Sequence, residues 1–268
     1  IVTGAASGIG RAICLSLARR GVRMIVAADL HRDGAEETAR QVAAVGSASA
    51  AQGVACDVSV AAEVGRLIRD AEAAHGPVDA FFANAGILGS PLSVEATSLQ
   101  DWEQIMAVNL YQSVYAARQL LPGLASRGGC FVVTSSAAGL LLQLGTCPYT
   151  VSKHASRSFA EWLSVTYGPL GLHVACLCPE AVRTALAANI NIEGIMSQKG
   201  MAGADGVISA DEASEKTMQA LQDGRFLVTT HKNTERNMKR KADDIDRYLR
   251  GMSRLQMKLM AALGMSKL

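Results

Sequence analysis

The chain has 268 residues, of which 49% are hydrophobic and 19% charged, with a formal net charge of +2. This is the composition of a folded globular protein with length enough for one large core, and it excludes disordered and collagen-like classes. The near-neutral balance gives no electrostatic footprint for nucleic acid, and no apolar run reaches the ~18 residues that a membrane span requires.

Taken in chain order, short apolar runs alternate with longer segments of helical period. The strands are expected in IVTG, VRMIVAAD, GVACDV, VDAFFANAG, GGCFVVTSS, HVACLCPE and RFLVTT, and the helices over 9–20, 34–45, 61–74, 99–124, 149–167 and 211–221. Runs that stay apolar instead of alternating suit parallel strands buried on both faces. The pattern predicts an α/β doubly wound parallel sheet of about seven strands, a Rossmann fold with helices on both faces. No Pro/Gly/Ser-rich linker and no fixed-period repeat divides the chain, so residues 1–230 read as one domain.

Between the first strand and first helix stands TGAASGIG. Gly4 allows a tight exit from the strand, Gly8 a close approach of phosphate to the backbone, and Gly10 close packing of helix on sheet. The free N–H groups of the helix N-terminus then favour an anion. Asp29 closes the second strand about 20 residues after this loop, where a carboxylate can accept from an adenosine ribose and would repel a 2′-phosphate. NAD is therefore expected over NADP. Asp29 as a helix N-cap is the plainer alternative, and Arg32 leaves room for a 2′-phosphate.

The six cysteines, Cys14, Cys56, Cys130, Cys147, Cys176 and Cys178, lie in apolar segments without CxxC or Cys/His clustering. No metal site is expected, and reduced, buried thiols with no secretory signal predict a cytoplasmic protein. Cys176 and Cys178 should share one face of their strand.

Tyr149 and Lys153 lie four apart on a predicted helix, so their polar ends can meet one ligand. A free phenol, with a pKa near ~10, is a poor base at neutral pH, and an adjacent ammonium together with an oxidised nicotinamide is expected to lower that value. Tyr149 would then serve as a proton donor and acceptor.

In sequence order, TGxxxGxG, CDVS, ANAG, VTSSAAG and YTVSK resemble the short-chain dehydrogenases/reductases of the single-domain kind, from Ile1 to about Thr230. The resemblance implies a nicotinamide-dependent oxidoreductase whose glycine loop includes Ser7 and Ile9. It implies Asp57 and the Val58 backbone at the adenine, Asn84 and Gly86 lining the cofactor cleft, and Val182 and Thr184 on the nicotinamide side. It also implies a catalytic set of Asn109, Ser136, Tyr149 and Lys153. Ser136 would hold the reacting oxygen, and Asn109 would kink its helix and hold a water linking the lysine to solvent. Ser135 is the expected holder of a merely structural role, and a structural role for Asn109 stays open. Two departures stand out: Ala83 where many relatives carry Asn, and Glu180 where glycine is usual. The family is also usually homo-oligomeric, so a dimer or tetramer is expected. A non-catalytic nucleotide-binding or scaffold protein, an NADP-dependent carbonyl reductase, or a lyase, epimerase or dehydratase on the same fold are the alternatives.

Residues expected at the cleft mouth are apolar, with Leu88, Leu140, Leu141, Leu142 and Leu144 joined by Leu186, Ile190, Ile192, Ile195 and Met196. They predict a hydrophobic secondary alcohol or ketone as substrate, under a lid over about 185–206. Beyond residue 230, a basic amphipathic helical extension covers 231–268. Met238, Ala242, Ile245, Leu249, Met252, Leu255, Leu259 and Ala262 form one apolar stripe, and the segment carries a net +6 against −4 on the rest. Docking on a neighbouring subunit is the expected use of that stripe.

Overall fold

The computed structural model describes residues 1–45, 49–89, 93–184 and 206–262. Seven strands form one parallel sheet: β1 (Val2–Thr3), β2 (Met24–Asp29), β3 (Ala50–Ala55), β4 (Ala80–Ala83), β5 (Cys130–Thr134), β6 (His173–Cys178) and β7 (Leu227–Thr229). Their order is β3-β2-β1-β4-β5-β6-β7, so the winding reverses between β1 and β4. In open α/β sheets ligands bind outside the carboxyl ends of the strands at such a reversal.

Each strand supplies both faces. Ile25 and Ala27, Phe82, Val132, and Ala175 and Leu177 pack on one side, against α1 (Gly8–Arg19), α2 (Arg32–Ala44) and α7 (Ala210–Gln222). Val26 and Ala28, Phe81, Phe131 and Val133, and Val174, Cys176 and Cys178 pack on the other, against α3 (Ala61–His75), α5 (Gln112–Ser126) and α6 (Cys147–Tyr167). The doubly wound fold expected from the apolar runs is the one observed. Cys176 and Cys178 do share a face, with their sulfurs 3.8 Å apart, and all six cysteines are free.

Three elements depart from their expected form. The third strand runs Ala50–Ala55 instead of 53–58, in register Met24↔Ala50 to Asp29↔Ala55. It is an edge strand and only half-buried, so alanines and Gln52 suffice where a central strand needs larger apolar residues. The expected helix 99–124 is α4 (Leu99–Met106), a π-helical turn (Ala107–Tyr111) and α5. The single C-terminal stripe is two helices, α8 (Lys232–Asp243) and α9 (Ile245–Ala262), broken where Asp244 is extended and its Oδ1 accepts from Arg247 N–H at 2.8 Å.

The break also changes where the stripe points. Met238 packs against the core on the α3, α5 and α6 side, and Tyr248, Met252 and Leu255 line a cleft of this same chain. Lys241 Nζ donates to Leu140 O at 2.8 Å. The extension therefore docks at least in part on its own domain, while Ile245, Leu249 and Met257 stay exposed. Among the described residues, no helix is long and apolar enough to cross a membrane, and no cluster of His, Cys, Asp or Glu could hold a metal. The lid expected over 185–206 lies, but for Gly206, outside the described residues.

Candidate active site

The glycine loop joins the sheet where β1 and β4 diverge. Gly4 takes φ +64°, and a Cβ there would lie 2.8 Å from Ala85 Cα; Gly8 takes φ +52°. At Gly10 a Cβ would lie only 2.1 Å from Gly4 O and 2.7 Å from Asn84 Nδ2. Steric closeness at Gly4 and Gly10 thus comes from the chain's own backbone, which folds the loop tightly and turns the first amides of α1 outward. Ser7 is the exposed N-cap of α1 and makes no side-chain cap bond, while Ile9 packs on the core behind the loop. Arg11, which the sequence did not single out, braces this loop by donating to Ala6 O and to Thr38 Oγ1, whose own hydroxyl donates to Ala5 O at 2.7 Å.

Asp29 is not the cap of α2, a place taken by His31. Its Oδ2 accepts from Ala6 N–H at 2.9 Å and its Oδ1 from His31 N–H at 3.0 Å, which fixes the carboxylate beside the loop with lone pairs to spare. Arg32 pairs with Glu36 at 3.8 Å on the exposed face of α2. Asp57 Oδ1 accepts from the backbone and hydroxyl of Ser59 at 2.9 and 2.6 Å, placing Asp57 and buried Val58 in a turn just past β3.

Asn84 ties three strands together. Its Nδ2 donates to Thr3 O at 3.0 Å, its Oδ1 accepts from Thr134 Oγ1 at 3.1 Å, and its N–H donates to Thr3 Oγ1. The buried Gln112, also not singled out by sequence, completes this knot by accepting from Thr3 Oγ1 at 2.8 Å. A polar residue on an apolar helical face was its only signal.

The π-helical turn gives Asn109 its placement. With one extra residue in the turn, the side chain leaves the helical ladder and pairs both ways with Ile87, accepting from its N–H and donating to its O, each at 2.9 Å. Its Nδ2 also reaches Ser152 Oγ at 2.9 Å on α6. A Cβ added to Gly86 would lie 3.3 Å from both Asn109 Oδ1 and Lys153 Nζ, so these two groups flank the same backbone position.

Ser136, Tyr149 and Lys153 converge at the carboxyl end of β5. The Ser136 hydroxyl donates to Pro179 O at 3.4 Å and accepts from Ala138 N–H at 3.1 Å, and it lies close enough to the Tyr149 phenol to draw its pKa down. Lys153 Nζ lies 5.7 Å from the Tyr149 ring centroid and donates to Thr134 O at 3.0 Å. Ser135 donates to Lys153 O at 2.7 Å and so pins α6 to the sheet; the cap of the following turn is Ser136 instead. Burial holds the Tyr149 phenol above its ordinary pKa, with the Ser136 hydroxyl only partly opposing it, and burial brings Lys153 down to about 8. In the protein alone desolvation of the buried ring outweighs the attraction of the nearby lysine.

Val182 bridges to Ile208, and a Cβ on Gly8 would meet Thr184 Cγ2 at 3.0 Å. The segment after β6 thus crosses directly over the glycine loop and closes the second side of the cleft. Glu180, the departure from the family pattern, faces the C-terminal extension: Thr234 Oγ1 donates to its carboxylate, and Glu180 N–H donates to Thr230 Oγ1 at 3.0 Å. Thr234 sits in the first turn of α8, where negative charge is favoured. A carboxylate hydrogen bond of this kind is worth about 2 kcal/mol. Glu180→Ala should therefore loosen the extension and speed tryptic cleavage at Lys239 and Arg240 roughly tenfold, read by gel densitometry. An unchanged cleavage rate would show that the latch contributes nothing.

Residues 1–194 match the family model described as short chain dehydrogenase. A 1-deoxy-11-beta-hydroxypentalenate dehydrogenase from Streptomyces avermitilis is 31% identical over 253 residues, covering 93% of this chain and 90% of that protein. Among solved structures, a short chain dehydrogenase/reductase from Burkholderia phymatum in complex with NAD superposes with a TM-score of 0.79 at 27% identity, over 91% and 92% of the two chains. An alcohol dehydrogenase from Thermococcus sibiricus complexed with 5-hydroxy-NADP gives 0.71 at 26% identity, over 85% and 93%. With its sheet order and motifs, the chain belongs to the short-chain dehydrogenase/reductase family of oxidoreductases.

Proposed function

We propose that this enzyme moves hydride between NAD(H) and a hydrophobic secondary alcohol or ketone, with Tyr149 exchanging the proton on the reacting oxygen. The observation that carries this reading is the convergence of Ser136, Tyr149 and Lys153 at the carboxyl end of β5, with Lys153 Nζ 5.7 Å from the Tyr149 ring and bonded to Thr134 O. Two hydroxyls brought to the same end of β5 can receive one substrate oxygen between them. Ser136 then stabilises negative charge on that oxygen, and Tyr149 gives or takes its proton at Oη. Lys153 holds the phenol's surroundings electropositive, and Asn109 fixes α6 through Ser152 and the Ile87 backbone.

A dinucleotide fits the residues present. The glycine loop folds tightly enough to leave main-chain amides facing outward, Asp29 offers free lone pairs beside it, and Thr184 closes over Gly8. Gly4, Ser7, Gly8, Ile9 and Gly10 would hold the diphosphate, Asp29 the ribose, and Asp57 and Val58 the adenine. Asn84, Gly86, Val182 and Thr184 would border the nicotinamide. When bound, the nicotinamide supplies the hydride acceptor or donor and, oxidised, a positive charge that the protein alone lacks.

Asp29 supports NAD over NADP, and Arg32 is turned to Glu36 on the exposed face of α2. The Streptomyces and Thermococcus relatives act, by name, as dehydrogenases of a hydroxylated compound and of alcohol, which supports the substrate class. Exposed Tyr111, Trp162 and Val165 on the π turn and α6 support a homo-oligomer, in a cytoplasmic setting. The test is a panel of hydrophobic alcohols and ketones followed by absorbance of reduced nicotinamide. NAD is expected to give kcat/KM about tenfold or more above NADP, and Asp29→Ser to narrow that ratio. A preference for NADP in the unaltered enzyme would reverse the assignment of Asp29.

A further inference from the structure

The C-terminal extension does more than cover the domain. Next to Ser136 in sequence, Ala137, Ala138 and Leu141–Leu144 bound one side of a small, partly open cleft, and Asn237, Tyr248, Met252 and Leu255 of α8 and α9 bound the other. Its walls are mainly apolar. Its polar groups can be accounted for one by one. Glu180 accepts from Thr234, Asn233 Oδ1 accepts from Arg236, Gln143 Nε2 donates to Leu144 O, and the Tyr248 ring lies 5.9 Å from Lys241 Nζ, with burial raising its phenol pKa and the Leu142 backbone drawing it down. The half-buried Asn237 amide makes no side-chain hydrogen bond among the described residues, although it has two donors and an acceptor.

From this we infer that Asn237 is a specificity-determining residue. It selects substrates whose apolar skeleton carries a second, neutral oxygen, a hydroxyl or carbonyl, remote from the carbon that reacts. The position of the amide follows from the latch described above: Glu180 holds the first turn of α8, and Asn237 lies one turn further, three residues after Thr234, on the wall facing Leu141 and Leu142. A family member with glycine at 180 would lack that hold on the extension. In an apolar cleft an unpaired amide discriminates by hydrogen bonding more sharply than methylene packing can.

The inference rests on the redox reading for its biological meaning but not for its test. Cyclic ketones of six to ten ring carbons, each with and without a hydroxyl opposite the carbonyl, are compared by ligand-observed NMR titration and by turnover. The unaltered protein should bind the hydroxylated member about fivefold more tightly, and Asn237→Leu should erase that preference. Asn237→Asp keeps an acceptor at the same place and should retain part of it. Equal binding of the two ligands by the unaltered protein, or a preference that survives Asn237→Leu, overturns the inference. A preference that follows Asn237 in a protein showing no turnover upholds the subsite and overturns the redox reading instead.

Discussion

Tyr149→Phe is expected to lower kcat by about a thousandfold while dinucleotide affinity stays within about twofold of the unaltered protein. The substitution removes one hydroxyl from a side chain that is only 8% exposed, so the ring keeps its packing and α6 keeps its contacts. What disappears is the single group able to exchange a proton with a substrate oxygen held at Ser136. The pH dependence sharpens the test. Burial raises the phenol, so at neutral pH in the protein alone Tyr149 is protonated, ready to donate to a carbonyl but not to accept from an alcohol. Alcohol oxidation should therefore climb with pH and carbonyl reduction should fall, and both trends should vanish in the variant's residual rate. Steady-state absorbance gives the rates and titration calorimetry the affinity. A variant with near-normal turnover would transfer the acid/base role to another residue.

How far the sequence revealed this site depended on whether the signal was local. The glycine loop, Asp29 and the Tyr149–Lys153 pair are set by spacing within single βα units, and the fold places them where those spacings imply. The π-helical turn at Ala107–Tyr111 was invisible to periodicity, because a wider turn keeps the same apolar period; only the kink that the family resemblance implies at Asn109 pointed to it. β3 was displaced because an edge strand tolerates alanine and exposes half its surface. The break in the extension was missed for a related reason. Its stripe continues unbroken in sequence through Asp244, yet that residue ends one helix and caps the next, turning apolar residues onto the domain that bears them. Glu180 could be read only as a departure from the family, since its partner Thr234 is 54 residues away.

Gly10→Ala tests the loop on which cofactor binding depends. A methyl at this position would sit 2.1 Å from Gly4 O and 2.7 Å from Asn84 Nδ2, and the first of these is backbone that no rotamer change can move. To admit it, either α1 must shift away from the sheet or Gly4 must leave its φ of +64°. The second route breaks the tight exit from β1 and loosens Asn84, which also binds Thr3 O and Thr134. We expect a stability loss of about 2–3 kcal/mol by urea unfolding, typical of overpacking. Dinucleotide affinity should fall by at least ~100-fold, because misplacing the amides removes several phosphate contacts at once. Gly168 supplies the control. It lies in the right-handed helical region with nothing within 4 Å of an added Cβ, so Gly168→Ala should be neutral or stabilising by about 0.5 kcal/mol. A Gly10→Ala protein that binds dinucleotide as tightly as the Gly168→Ala control would mean that the loop yields freely, and the closeness of its backbone would not be what the glycine is for.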